Sequence, residues 1–220
     1  MNYNELLAEV PVVLRAQNST LTNVNTFAGI VRDAVNQVVN LLDHEAFKTT
    51  ISGQEIPTTG SFTLASVDPP VLEIRSIEIR LDDAASYPTR PLIPRQVETL
   101  AALYPGGTTG APQFYAETAH LVLQVFPRPA SSVFAEVRVN QRPATLSAGS
   151  PTNVLTDQYP RILDNAVLRR AALFMKDYDA LARYEAELAA AAQEVNAEVG
   201  RHRRDETSQR PRSTENVTGQ

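Results

Sequence analysis

The stretch from Asp157 to Arg204 constrains this chain more than any other. Apolar residues recur there at Leu163, Val167, Ala171, Phe174, Tyr178, Leu181, Tyr184, Leu188, Ala192, Val195 and Val199. Every gap is three or four residues, which keeps them on one helical face. The spacing predicts one long helix, or two helices meeting near Asp177–Asp179. Leu163, Val167, Phe174, Tyr178, Leu181 and Leu188 are its expected helix-packing positions. The opposite face carries Arg169, Arg170, Lys176, Arg183, Glu187, Glu194 and Glu198. Asp179 with Arg183, and Arg183 with Glu187, stand four apart and can pair weakly. Thr156 or Asp157 can cap the start, and Pro160 falls in the first turn, where a missing N–H does little harm. The second half is rich in alanine and glutamate, both strong helix formers. Unbroken, the stretch would span ~70 Å at the helical rise. A compact chain of this size has a radius of gyration of about 17 Å. The helix therefore has to project, kink or pack on another chain. A core helix with a frayed, charged end is the plainer alternative.

Composition narrows the function classes. With no cysteine in 220 residues, disulfides and thiolate metal sites are excluded. The N-terminal MNYNELLAEV lacks the basic flank and apolar core of a signal peptide. No apolar run approaches the ~20 residues of a membrane-spanning helix. A net charge of −5 argues against wrapping nucleic acid. Fifteen prolines against nine glycines predict rigid loops rather than flexible linkers.

Read in order, the chain begins with a helix over Asn4 to Arg15, which Pro11 should end or kink. A polar loop follows, then a second helix over Thr26 to Asp43, with Phe27, Ile30, Val31, Ala34, Val35 and Val38 at helical spacing. After Phe47 the period shortens. Phe47 to Ile51 and Phe62 to Leu64 read as extended. Val71 to Leu81 is the clearest strand, with a phase slip at Ser76 that predicts a bulge. Arg95 to Leu103 reads as a short helix. Pro112 to Tyr115, His120 to Phe126 and Val133 to Asn140 read as strands, with Pro127 to Ser132 as a hairpin turn between the last two.

The predicted fold class is α+β. A bundle of N-terminal and long C-terminal helices (1–46 with 157–204) carries an inserted antiparallel β-rich module (47–156). Residues 205–220 have almost no apolar side chains and read as a disordered tail. From Arg201 onward, five arginines stand against three acids, so the end of an acidic chain is basic. It is either solvated or an arm that folds on a partner. In the second case Arg201, Arg203, Arg204, Arg210 and Arg212 would pair with acids or phosphates.

Chemical motifs are scarce. Gly106-Gly107-Thr108-Thr109-Gly110 lacks a phosphate loop's lysine, and Pro112 blocks the helix that should follow, so it reads as a turn. Asp43-His44-Glu45 are consecutive, so they do not converge on a metal. His120 is close in sequence to no carboxylate but Glu117, and Gly149-Ser150-Pro151 is no nucleophile elbow. No cofactor, metal or catalytic set is expected.

A resemblance adds to this. The helical start and strand-rich middle lead to Pro112-Gln113-Phe114-Tyr115 and then Leu121-Val122-Leu123-Gln124-Val125-Phe126-Pro127-Arg128-Pro129. Pro143-Ala144-Thr145-Leu146, Asn153-Val154-Leu155, Tyr159-Pro160-Arg161-Ile162-Leu163 and Ala171 to Asp177 follow. Together they resemble the adaptor (connector, head-completion) proteins of tailed bacteriophages over roughly Asn4 to Arg204. The resemblance implies a non-enzymatic virion protein at the neck, assembled in the host cytoplasm. It implies a ring, commonly of twelve copies, beneath the portal protein. That ring extends the DNA channel without sequence-specific contact, presents a face to a tail or nozzle protein, and touches no membrane. By position, clasping the portal would fall to the segment after Arg201. A monomeric interaction or scaffold module, or a hydrolase with an unseen site, are the rival readings.

Overall fold

The computed structural model describes residues 2–14, 21, 23–80 and 89–208. The fold is α+β and comprises two units. One is helical and joins Met1–Asp43 to Leu146–Gln220; the other, His44–Thr145, is inserted between them and β-rich. The second junction falls between Thr145 and Leu146.

The helical unit opens with α1 (Tyr3–Val13). Asn2 accepts from the Glu5 amide at 3.0 Å while Glu5 accepts from the Asn2 amide at 2.8 Å, a reciprocal cap that satisfies two otherwise orphaned donors. Pro11 neither ends nor interrupts α1, contrary to the sequence expectation. It stands two residues before the helix end, so its missing N–H costs a single bond, to the Leu7 carbonyl. Helix α2 (Val24–Leu41) follows, its first turn capped by Asn23. Tyr3 meets Phe27 edge-to-face at 5.7 Å between ring centroids.

The β unit has two four-stranded sheets. Its strands are β1 (Lys48–Ile56), β2 (Ser61–Thr63), β3 (Val71–Arg80), β4 (Arg90–Pro91), β5 (Ile93–Pro94), β6 (Phe114–Ala119), β7 (Val122–Phe126) and β8 (Val133–Gln141). A short helix, α3 (Val97–Leu103), lies between β5 and β6. One sheet runs β1-β8-β3-β4 and is antiparallel throughout. The other runs β2-β7-β6-β5, with a two-residue parallel pairing of β5 on β6. One core joins them: Ile56, Phe62, Leu64, Ile77, Ile79, Leu123, Val125, Val133, Val137 and Val139. Strand β8 shows the half-buried alternation clearly. Val133, Ala135, Val137 and Val139 point into the core, while Glu136 and Arg138 point out. Glu78 and Glu136 stand directly opposite each other, an unfavourable like-charge pair. Arg138 to Glu78 at 3.2 Å and Arg80 to Glu136 at 3.8 Å offset it along the diagonals.

The register slips between Ile74 and Ser76, where the sequence predicts a bulge, and again between Val71 and Glu73. The expected hairpin over Pro127 to Ser132 is not one. Strands β7 and β8 lie in different sheets, and this segment carries the chain from one to the other. Pro127 and Pro129 have no N–H with which to prolong a ladder. The actual hairpin turn is His120-Leu121, between β6 and β7, so His120 does not open a strand. Leu121 takes a left-handed φ of 56°, and the Glu117 carboxylate accepts from its amide at 2.8 Å.

Of the two readings of the C-terminal stretch, the structure has helices meeting next to Asp177, and a further short helix precedes them. Helix α4 (Val154–Gln158) is capped by Asn153, which accepts from the Leu155 and Thr156 amides; Thr156 completes the box rather than serving as the cap. Helix α5 (Pro160–Met175) has proline in its first turn, as expected. Helix α6 (Tyr178–Ser208) then folds back against it. The expected 157–204 helical stretch therefore ends four residues later, at Ser208. The tail from residue 209 onward lies outside the described residues.

Candidate assembly surfaces

The break between α5 and α6 shapes this surface. Lys176 adopts a left-handed conformation (φ 60°, ψ 29°). The Asp177 amide donates to the Ala172 carbonyl at 3.0 Å and the Lys176 amide to the Leu173 carbonyl at 3.1 Å, which closes the end of α5. Asp177 then starts α6: its carboxylate accepts from the Ala180 amide at 3.0 Å. One residue ends a helix and the next begins another.

Cross-helix pairs link the two arms of the hairpin. Arg161 meets Glu194 at 3.3 Å and Arg169 meets Glu185 at 3.0 Å. Arg169 also donates to Gln37 of α2 at 3.1 Å, so one guanidinium ties three helices together. The Asn196 side chain donates to the Leu41 carbonyl at 3.0 Å and accepts from the Asp43 amide at 2.9 Å, fastening the end of α2 to α6. The expected i, i+4 pairing of Arg183 with Asp179 or Glu187 is replaced. Arg183 lies over the Tyr184 ring, 4.4 Å from its centroid, and donates to the Tyr184 hydroxyl.

The expected helix-packing residues separate into two sets. Leu163, Val167 and Leu188 are buried, together with Ala171, Tyr184 and Ala192; Leu181 is half-buried. Phe174 and Tyr178 are not buried within the chain. They are 49% and 69% exposed, and Leu173 beside them is 42% exposed. A single apolar face requires helical phase to continue through residue 176, and the left-handed turn resets that phase. Three large apolar side chains are left at the tip of the hairpin.

Of the expected portal-binding arginines, Arg201 is exposed on α6. Arg203 and Arg204 lie on its helical backbone, while Arg210 and Arg212 are outside the described residues.

The same unit holds a half-buried carboxyl the sequence did not single out. Desolvation raises the pKa of Asp164 on α5, and the charges of Glu9 on α1 and Glu187 on α6 raise it further. Glu9 and Glu187 are far apart in the chain from Asp164, so no spacing signal could reveal the cluster. Burial also raises the Tyr159 phenol, with Glu198 adding to the effect.

In the β unit, a groove of about 750 Å³ runs beside α3, lined by Pro94, Arg95, Leu100, Leu103 and Phe114 among others. A cavity of about 690 Å³ lies near it, with Arg95, Glu98, Glu117, His120 and the Tyr115 phenol on its walls. Burial raises the Tyr115 pKa, with a smaller contribution from Glu117. Gly106 and Gly107 both take left-handed φ (68° and 77°), the turn the glycine run predicts. The Arg128 guanidinium covers Gly107 so closely that an added Cβ would lie 2.8 Å from its Nη1. Among the described residues, no group of three or more His, Asp or Glu stands together in a way that could hold a metal ion. No described helix is long and apolar enough to cross a membrane.

No curated protein matches the chain. The family model described as SU10 adaptor protein matches residues 1–215, nearly the whole chain. A hairpin of long helices, an inserted two-sheet β unit and exposed apolar surface suit a structural subunit that meets other proteins. The chain belongs to the SU10 adaptor protein family, a family of phage head–tail adaptors.

Proposed function

We propose that this chain is one subunit of a ring, twelve copies in the closed form, set between the portal and the tail in the virion neck. The family match over residues 1–215 carries this reading. The ring extends the DNA channel from the portal, and its far face receives a tail or nozzle protein. Genomic DNA passes through without being read, because an acidic subunit (net charge −5) repels phosphate rather than gripping it. The segment after Arg201 clasps the portal, with Arg201, Arg203, Arg204, Arg210 and Arg212 meeting acidic groups there. Helix α6 supports the clasp by holding the start of that segment on a helix out to Ser208. Coupling of folding to docking would let the arm order on its partner at assembly.

Electron micrographs of the purified chain mixed with portal-bearing particles test the ring: a new layer of regular cyclic symmetry beneath the portal is expected. A chain that stays monomeric with portal present would refute it and favour a monomeric interaction module. Joint replacement of Arg201, Arg203 and Arg204 by glutamate should reduce portal docking by an order of magnitude or more, on the scale of ~1.4 kcal/mol per tenfold. Undiminished docking would remove the arm from the mechanism.

A further inference from the structure

We propose that the tip of the α5–α6 hairpin inserts into the groove beside α3 of a second copy of this chain. The proposal rests on the ring reading above and names the contact that would link neighbouring copies.

The tip presents Leu173, Phe174 and Tyr178 to solvent within six residues. Their free surface is on the order of a few hundred Å², the size at which an apolar patch marks an interface rather than chance exposure. Lys176, Asp177 and Asp179 surround it with charge. Asp177 is occupied with capping α6, whereas Asp179 makes no ion pair among the described residues.

The groove answers in kind. Its lining includes Pro94, Phe114 and Leu103, the last 64% exposed, packed over the buried Leu100. Arg95 lies on its rim, and its guanidinium makes no ion pair among the described residues. A knob of aromatic side chains edged by a free carboxylate therefore meets an aromatic and leucine-lined groove edged by a free guanidinium. The two surfaces differ, so the contact is head-to-tail. Repetition of such a contact generates a ring when its rotation closes.

The chain has no cysteine, which makes the test direct. Tyr178→Cys and Leu103→Cys are made in separate, differently tagged chains; both positions are exposed, and far-UV circular dichroism checks that each variant folds. The two are mixed with portal-bearing particles and treated with a short bis-maleimide. A cross-linked heterodimer is expected from the mixture, and neither variant alone should match its yield. Asp179→Arg on the first chain should lower the yield several-fold, and Arg95→Asp on the second should restore it. No heterodimer, or a yield indifferent to both charge reversals, would overturn the contact. Wild-type chain imaged in parallel separates the two ideas. Rings without the cross-link remove this contact and keep the ring, whereas the cross-link without rings keeps the contact and removes the ring.

Discussion

Replacing Lys176 by glycine tests the hairpin by the sign of the effect. Lys176 holds φ at 60°, where a side chain crowds the following carbonyl. A non-glycine residue there costs roughly 1–2 kcal/mol. Glycine removes that strain but loses more backbone freedom on folding, worth roughly 0.5–1 kcal/mol. The net expectation is a gain on the order of 0.5–1 kcal/mol. At about 2–4 °C per kcal/mol for a chain of this size, Tm should rise by about 1–4 °C. An unbroken helix through residue 176 would give the opposite result, because glycine in a helix interior costs ~1 kcal/mol against alanine. Lys176→Ala is the control: near neutral at a left-handed position, slightly stabilising within a continuous helix. Thermal melts at 222 nm and urea midpoints of the three proteins supply the data. A fall in Tm for Lys176→Gly alongside a rise for Lys176→Ala would refute the hairpin.

Leu163 is fully buried in the helical unit, so Leu163→Ala should cost about 2.7–5 kcal/mol, read as a lowered urea midpoint; a loss under ~1 kcal/mol would mean that its site collapses around the smaller side chain. Asp164 has a folded pKa raised above its ordinary value by burial and by Glu9 and Glu187. The folded state thus holds this proton more tightly than the unfolded state does, so the site favours folding at low pH. That contribution is lost as pH rises through the window from the unfolded value to the raised one. Asp164→Asn should therefore raise Tm at about pH 7, with the gain shrinking towards zero near pH 3. An equal gain at both pH values would remove the ionisation argument.

The elements most legible in the sequence are those whose signal is local. Strand β3 and its bulge at Ser76 follow from alternation and one phase slip. Helix α3 ends at Leu103, just before the Tyr104-Pro105-Gly106-Gly107 run that the sequence marks as its stop. The apolar spacing around Leu163, Val167 and Leu188 locates residues that are in fact buried. The segment Pro127 to Ser132 shows the limit. A proline-rich link between two alternating runs suits a hairpin or a crossover equally, and the choice depends on which strands pair at long range. Likewise Asn153, not Thr156 or Asp157, caps the first C-terminal helix, because a short helix starting at Val154 precedes the one that Pro160 signals.

The assembly surfaces divide along the same line. Neighbours a few residues apart already encode the α+β class, the β-rich insertion, the helical period and the clustering of arginines after Arg201. A break near Asp177–Asp179 is one of two alternatives the spacing allows, and long-range packing chooses it over a continuous rod. Three- and four-residue spacing continues unchanged through residue 176, but one left-handed φ reverses the chain and moves Phe174 and Tyr178 from the packed side to the tip. Whether α5 and α6 run on or turn back is settled by burial of side chains far apart in the chain, Leu163, Val167 and Ala171 on α5 with Tyr184 and Leu188 on α6, which no local pattern encodes.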